Sequence, residues 1–207
     1  MPAGDFTKIK TGMVKAAQFF DSRKVGHVGP LGFRRSTDLS RLLSGLENLI
    51  ARNILRPFEF NFFDMGCGDG RVNILMSYIC NKSVGVELDD WTLEEYRSLR
   101  PDLEKHLLKH KSAPPPDNIH LFEGDALDVK LHEDIYRKTG IAFENFDLFY
   151  TYLTMHEEFA ELISRKAKAG ALFMVYGLER IMPRYDKLEI LTPREPIEGI
   201  LALYRKP

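Results

Sequence analysis

The chain has 207 residues, 44% of them hydrophobic and 29% charged, with 14 Phe, 8 Tyr and 1 Trp; this is enough apolar surface for a core without covalent staples and excludes disordered and fibrous classes. Its two cysteines, Cys67 and Cys80, form no CxxC pair and sit beside no His at ligand spacing, so the expectation is no metal, no disulfide framework and a reducing, cytoplasmic setting. The net charge of −1 divides unevenly: residues 1–58 carry ten Lys/Arg against four Asp/Glu (+6) and residues 59–207 nineteen against twenty-six (−7), a pattern produced equally by an anionic partner and by a basic arm packed on its own acidic body.

No apolar stretch reaches membrane-spanning length, and the mixed charges of residues 1–10 do not suit a signal peptide. The first clear element is a helix over about 38–54, in which Leu39, Leu42, Leu43, Leu46, Leu49 and Ile50 share a face, Asp38 favours the start and Pro57 forbids continuation. An aromatic strand, 58–65, then meets Gly66, Gly68 and Gly70 before a helix carrying Val72, Ile74, Leu75, Tyr78 and Ile79. A β-rich segment, 83–88, precedes a long helix with a Thr92 to Glu95 capping box, an interruption near Pro101 and a stop at Ala113 to Pro116.

The alternation continues with a strand at 119–123, a short helix at 131–138 capped by Gly140, a strand at 146–152 and a helix holding Phe159, Leu162 and Ile163. A strand at 171–176 follows, and two last strands, 187–191 and 200–204, read as a hairpin. The expected fold is therefore α/β: a three-layer, Rossmann-like sheet of about seven strands, mostly parallel with an antiparallel C-terminal strand, preceded by an N-terminal helical arm. The expected division is an arm and helix over 1–57, acting as a lid or substrate cap, and a body over 58–207.

Ligands of open parallel sheets sit beyond the carboxyl ends of the strands, which directs attention to Asp64-Met65-Gly66-Cys67-Gly68-Asp69-Gly70. A dinucleotide fingerprint places its third glycine where Arg71 stands, and Asp69 would set a carboxylate beside a diphosphate. A ligand carrying an ammonium and a sulfonium tolerates such acidic company. Glu87, at the end of the second strand, suits both hydroxyls of a ribose, and Asp125, after the third, suits an adenine amino group with Ala126 and Leu127 against the ring.

Three signals at three successive strand ends describe an adenosine cradle. With them the sequence resembles the class I, seven-stranded S-adenosylmethionine-dependent methyltransferases over about residues 59–207: Asp64 to Gly70 matches their glycine-rich first motif, Glu87 their ribose acid and Gly124-Asp125-Ala126 their adenine motif. The resemblance implies S-adenosyl-L-methionine as cofactor and contacts from Asp64, Gly66, Cys67, Gly68, Gly70, Glu87, Leu88, Gly124, Asp125, Ala126, Tyr150 and Phe33.

Methyl transfer needs alignment and exclusion of water more than covalent help. The end of the fourth strand, Tyr150 to Glu157, lacks the Asn-Pro-Pro-Tyr type of sequence used on planar amines. Tyr150 and Tyr152 fall on one side of the strand and offer either π-faces to a cationic amine or packing under a helix, and His156 is a candidate proton acceptor or simply the start of the next helix. This short loop, the arm from His27 to Thr37 and the small size resemble in part the small archaeal and mitochondrial protein-lysine methyltransferases and, more distantly, the disruptor-of-silencing histone methyltransferase. That resemblance implies a protein or peptide amine as acceptor, with an arm closing over the donor through Phe33, Ser36 and Thr37 while Arg34 and Arg35 face the acceptor. RNA, a small metabolite and non-catalytic adenosine binding are the alternatives.

Overall fold

Beneath the charges of the basic arm lies a helix, α1 (Ala3–Asp21). Ile9, Met13, Ala16, Ala17 and Phe20 recur at helical spacing, a pattern that the interleaved lysines conceal, and the last four are buried. The structure, a computed structural model, describes residues 3–23, 28–29, 32–33, 36–178, 182–192 and 195–207, with the side chains of 3–8, 28–29 and 32–33 outside that description.

At the foot of α1 the Asp21 carboxylate accepts from the backbone N–H of Leu39 and Ser40 at 2.8 and 2.9 Å. These are the first residues of α2 (Leu39–Ala51), whose own cap, Asp38, accepts from Arg41 N–H at 2.9 Å. Two carboxylates thus satisfy donors that a helix N-terminus leaves free, and they fix the α1–α2 corner. Between the helices lies a small antiparallel pair, β1 (Val28–Gly29) and β2 (Gly32–Phe33).

The first strand of the main sheet, β3 (Phe62–Met65), starts four residues later than its aromatic pattern suggests. Phe58 has a φ of 64° and gives its N–H to the Ile79 carbonyl, while Asn61 N–H goes to Asp147 Oδ2 at 2.8 Å, so the preceding residues are spent on turns. Then come α3 (Arg71–Ser77), β4 (Ser83–Glu87) and α4 (Asp90–Lys109). Pro101 does not interrupt α4, which begins at Asp90 rather than at the expected capping box. Leu99, Leu103 and Leu107 bury one face across the proline, and Arg100 braces it by binding Glu104 at 2.8 Å and the Pro115 carbonyl at 3.0 Å. Packing outweighs the one missing hydrogen bond.

The remaining elements are β5 (Ile119–Glu123), α5 (Val129–Thr139), β6 (Leu148–Tyr152), α6 (His156–Lys166), β7 (Leu172–Tyr176), β8 (Glu189–Ile190) and β9 (Leu201–Arg205). The strands lie in the order β5-β4-β3-β6-β7-β9-β8, parallel from β5 through β7, with β9 antiparallel to both of its neighbours. Helices α1 to α4 cover one face around Phe20, Leu46, Leu75 and Leu103; α5 and α6 cover the other around Phe63, Phe149, Phe159 and Phe173. The first two helices therefore share a core with the sheet.

From β3 the chain goes outward to β4 on one side, and β6 takes the other side, so a crevice opens at the carboxyl ends of β3 and its neighbours. Close approach behind this crevice depends on Gly85: a Cβ there would stand 2.6 Å from Asn73 Oδ1, 2.7 Å from Leu121 Cδ2 and 2.8 Å from Cys67 Cβ. Gly85→Ala is expected to cost about 1–3 kcal/mol, read by denaturant unfolding. A variant as stable as the parent would show that the sheet yields at this point.

Candidate functional site

Strand β3 ends on Asp64 and Met65, and the turn that follows is held by backbone bonds: Gly66 and Cys67 N–H each reach the Val86 carbonyl at 2.9 Å, and Gly70 N–H reaches Cys67 at 3.0 Å. Gly66 has a φ of 93°, a conformation side chains resist, and nothing lies within 4 Å of where its Cβ would be. The turn is tight in its backbone and open above it.

Asp64 lies next to the end of β3, two residues ahead of Gly66. It is 1% exposed, and neither carboxylate oxygen has a hydrogen-bond partner. Burial first, and the neighbouring charges of Glu87 and Asp69 next, push its pKa well above the usual carboxylate range. A buried acid with both oxygens unanswered is a site for a cation or for hydrogen-bond donors.

Glu87 closes the turn from β4: one carboxylate oxygen accepts from Gly68 N–H at 2.8 Å, the other from Leu88 N–H at 2.9 Å and Asp89 N–H at 3.2 Å. Its main-chain carbonyl takes Gly124 N–H at 2.9 Å, bringing the loop after β5 alongside. Leu88 is 64% exposed beside it, a large apolar side chain left open at a strand end. Asp125 accepts from Leu127 N–H at 2.8 Å, and the buried Ala126 is held through its carbonyl, 2.8 Å from His132 Nε2. The glycine turn, Glu87 with Leu88, and Gly124 with its two successors thus stand at the ends of adjacent strands β3, β4 and β5.

Asp69 differs from expectation. It is 2% exposed and turned inward to Arg71, whose Nε and Nη2 reach it at 3.0 and 2.8 Å. Arg71 in turn lies under Phe20 of α1, its guanidinium carbon 5.4 Å from the ring centre. Paired with Arg71, Asp69 is a weaker obstacle to a diphosphate than the sequence suggested, so the case against a dinucleotide rests chiefly on glycine spacing. The i, i+2 spacing of Asp69 and Arg71 was the sequence signal for this pair; Phe20 lies 51 residues away from Arg71 in the chain and gave none.

On β6, Tyr150 is buried with its hydroxyl 2.6 Å from Thr37 Oγ1, and desolvation raises its phenol well above the ordinary value. Tyr152, on the same side of the strand, is half-buried with its ring 5.5 Å from Tyr176, and Tyr176 donates to the Asp38 carbonyl at 3.4 Å. Two tyrosines therefore grip the segment entering α2. Thr151 donates to the Met65 carbonyl at 3.0 Å, tying β6 to the end of β3, and the Thr154 carbonyl lies 3.2 Å from the same hydroxyl, so the loop after β6 starts beside the glycine turn. His156 begins α6, following Met155 at a φ of 51°, and its Nδ1 meets Tyr185 Oη at 2.7 Å. Tyr185 had no sequence signal, since it lies 29 residues on, outside any motif. The Phe33 side chain, Arg34 and Arg35 lie outside the described residues. Among the described residues no group of three metal-ligating side chains occurs, and no helix is long and apolar enough to cross a membrane.

No protein-family model matches the chain, and no curated protein does. Solved structures do. An RNA methyltransferase from Salinibacter ruber in complex with S-adenosyl-L-homocysteine superposes with a TM-score of 0.53 at 15% identity, over 84% of this chain and 94% of that one. The protein yhhF of Escherichia coli gives 0.52 at 18%, over 84% and 88%. A variant of MtNAS in complex with S-adenosylmethionine gives 0.50 at 16%, over 96% and 72%. At such identities the likeness is one of architecture: the chain has the seven-stranded, Rossmann-like fold of these structures.

Proposed function

We propose that the protein is an S-adenosylmethionine-dependent methyltransferase whose acceptor is an amine nitrogen of a protein, a lysine side chain. The observation that carries the donor assignment is Asp64, a buried carboxylate with no partner at the strand end that leads into the glycine turn; an ammonium is the group that would answer it. S-adenosylmethionine, when bound, supplies an electrophilic methyl group on sulfur.

The chain's own residues would hold such a donor from several sides. Asp64 takes the ammonium; the backbone of Gly66, Cys67, Gly68 and Gly70 lines the close approach; Glu87 takes the ribose hydroxyls. Leu88 and Ala126 flank the adenine, with Gly124 and Asp125 at its edge. Tyr150, fixed by Thr37, forms the inner wall toward β6, and Phe33 is assigned to the lid. Tyr152 offers its half-buried ring to an incoming amine, and His156 stands at the start of α6, after the short loop that follows β6. These positions exclude water and orient the acceptor nitrogen, which is most of what methyl transfer requires.

Glu87→Ala should lower donor affinity about ten-fold or more, since a pair of charge-assisted hydrogen bonds and the brace on Gly68 are lost together. Calorimetry with S-adenosylmethionine, S-adenosylhomocysteine and NAD measures this, with NAD expected not to bind. A folded Glu87→Ala that binds the donor as the parent does would remove Glu87 from the site.

One observation favours a second acceptor class: the +6 balance of residues 1–58 suits RNA as well as an acidic protein surface. Transfer of labelled methyl groups into fractionated lysate decides between them. Label in protein hydrolysed to methyllysine supports the first reading, label in RNA the second, and donor binding with no transfer into any fraction would reduce the protein to a binding module.

A further inference from the structure

The loop after β5 is stitched to α5 by one side chain that reaches back six residues. His132, in the first turn of α5, is 7% exposed, and its Nε2 lies 2.8 Å from the Ala126 carbonyl. A carbonyl can only accept, so this nitrogen carries the hydrogen. Nδ1 is buried with no partner, as the second nitrogen of a neutral imidazole can be. Burial lowers the pKa of the ring, with Lys166 adding to the effect and the Ala126 bond, Asp128 and Asp125 opposing it. Phe143 stacks on the imidazole at 4.5 Å and Phe63 meets it edge-on at 6.4 Å, which fixes its plane.

The bond acts on a whole peptide unit. The carbonyl of Ala126 and the N–H of Leu127 belong to the same planar amide, and that N–H donates to Asp125 Oδ1 at 2.8 Å. Turning the amide breaks both bonds at once. His132 therefore sets the amide plane, the plane sets the Asp125 carboxylate, and the bonds at the two ends of the amide polarise one another.

The rest of the loop is already anchored. Gly124 N–H goes to the Glu87 carbonyl and Asp128 N–H to the Asp125 carbonyl, both at 2.9 Å, so the backbone on either side of the Asp125 side chain is held and the Ala126–Leu127 amide is what His132 is left to set. Asp125 itself is exposed. Among the described residues its second oxygen, Oδ2, accepts no hydrogen bond, which leaves one aimed acceptor at the end of β5.

We propose that His132 is a positioning residue for nucleobase selection: through the Ala126–Leu127 amide it aims the Asp125 carboxylate at the exocyclic amino group of adenine and so against a purine that carries an oxo group there. This rests on the methyltransferase reading, in which Asp125 stands at the adenine edge, and adds to it the residue that makes adenine the preferred base. An amino group donates to the carboxylate, whereas an oxo group sets two acceptors face to face.

The test has two arms. In the first, calorimetry compares S-adenosylhomocysteine with its oxo counterpart, S-inosylhomocysteine. The parent should favour the adenosyl ligand about ten-fold or more. His132→Leu, which keeps an apolar neighbour for Phe63 and Phe143 but has no N–H, should bring the two affinities to within about three-fold of each other. His132→Gln, whose amide carries an N–H near the place of Nε2, should keep the parental preference. Asp125→Asn, able to donate to the oxo group, should shrink or reverse it, which shows that the two ligands read this side chain. The second arm needs no variant: imidazole 15N shifts of the parent should report Nε2–H with Nδ1 unprotonated, and an Nδ1–H form would overturn the proposal. So would a folded His132→Leu that keeps the parental preference, or a loss as large in His132→Gln as in His132→Leu. Equal binding of both ligands by the parent would sink the base selection and leave the methyltransferase reading standing; binding of neither ligand nor of S-adenosylmethionine would sink that reading itself.

Discussion

Arg71→Ala is expected to destabilise the protein by about 3–5 kcal/mol, because it leaves Asp69 as a charge buried without its partner. Both residues are less than 5% exposed, and Asp69 accepts from the Arg71 backbone N–H at 3.3 Å as well as from the guanidinium. Asp69→Ala should cost a similar amount. The double variant Asp69→Ala with Arg71→Ala should lose much less than the sum of the two, since no charge is then left stranded. Denaturant unfolding of the four proteins measures the coupling directly. Additive losses would show that water reaches the pair and that it does not hold the turn.

The pair also joins three parts of the molecule. Asp69 belongs to the glycine turn, Arg71 opens α3, and Phe20 covers the guanidinium from α1. Loss of the pair should therefore loosen the turn on which the donor would lie.

Asp64→Asn is expected to do the opposite to stability while harming the proposed function. The folded-state pKa of Asp64 lies above that of an unfolded aspartate, about 3.9. Stability linked to this group is therefore fully present below that value and is lost as pH rises toward the raised folded pKa. At neutral pH the uncharged amide should gain about 1–3 kcal/mol in the free protein and flatten the fall of stability with pH. Affinity for S-adenosylmethionine should drop about 10- to 100-fold, because a buried carboxylate facing an ammonium is replaced by a neutral group. Thermal unfolding across pH with donor calorimetry checks both. A variant less stable than the parent that binds donor equally well would remove Asp64 as the cationic subsite.

Legibility in the sequence tracked the range of the interactions involved. The strand and helix alternation from β3 to β7 is set by local periodicity and turn residues, and Gly140 stands where the sequence puts it, capping α5 with a φ of 73°. The placing of the glycine turn, Glu87 and Gly124 at adjacent strand ends also followed from the order of the elements, because short right-handed crossovers leave few ways to lay parallel strands side by side. Tertiary contacts decided the rest. A helical arm was expected, but the bounds of α1 were concealed because charges on its outer face dominate the composition while two of its five stripe residues are alanine. Pro101 stayed inside α4 because long-range burial outweighs one lost backbone bond. Asp69 turned inward because a nearby arginine and a distant phenylalanine together made burial of its charge tolerable, and His156 gained Tyr185 from a segment nearly thirty residues away. Periodicity and turn chemistry are properties of neighbours in the chain, so the sequence determined the fold and the set of strand ends that meet at the glycine turn; which carboxylate stands bare and which is paired depends on side chains that only the packed structure brings together.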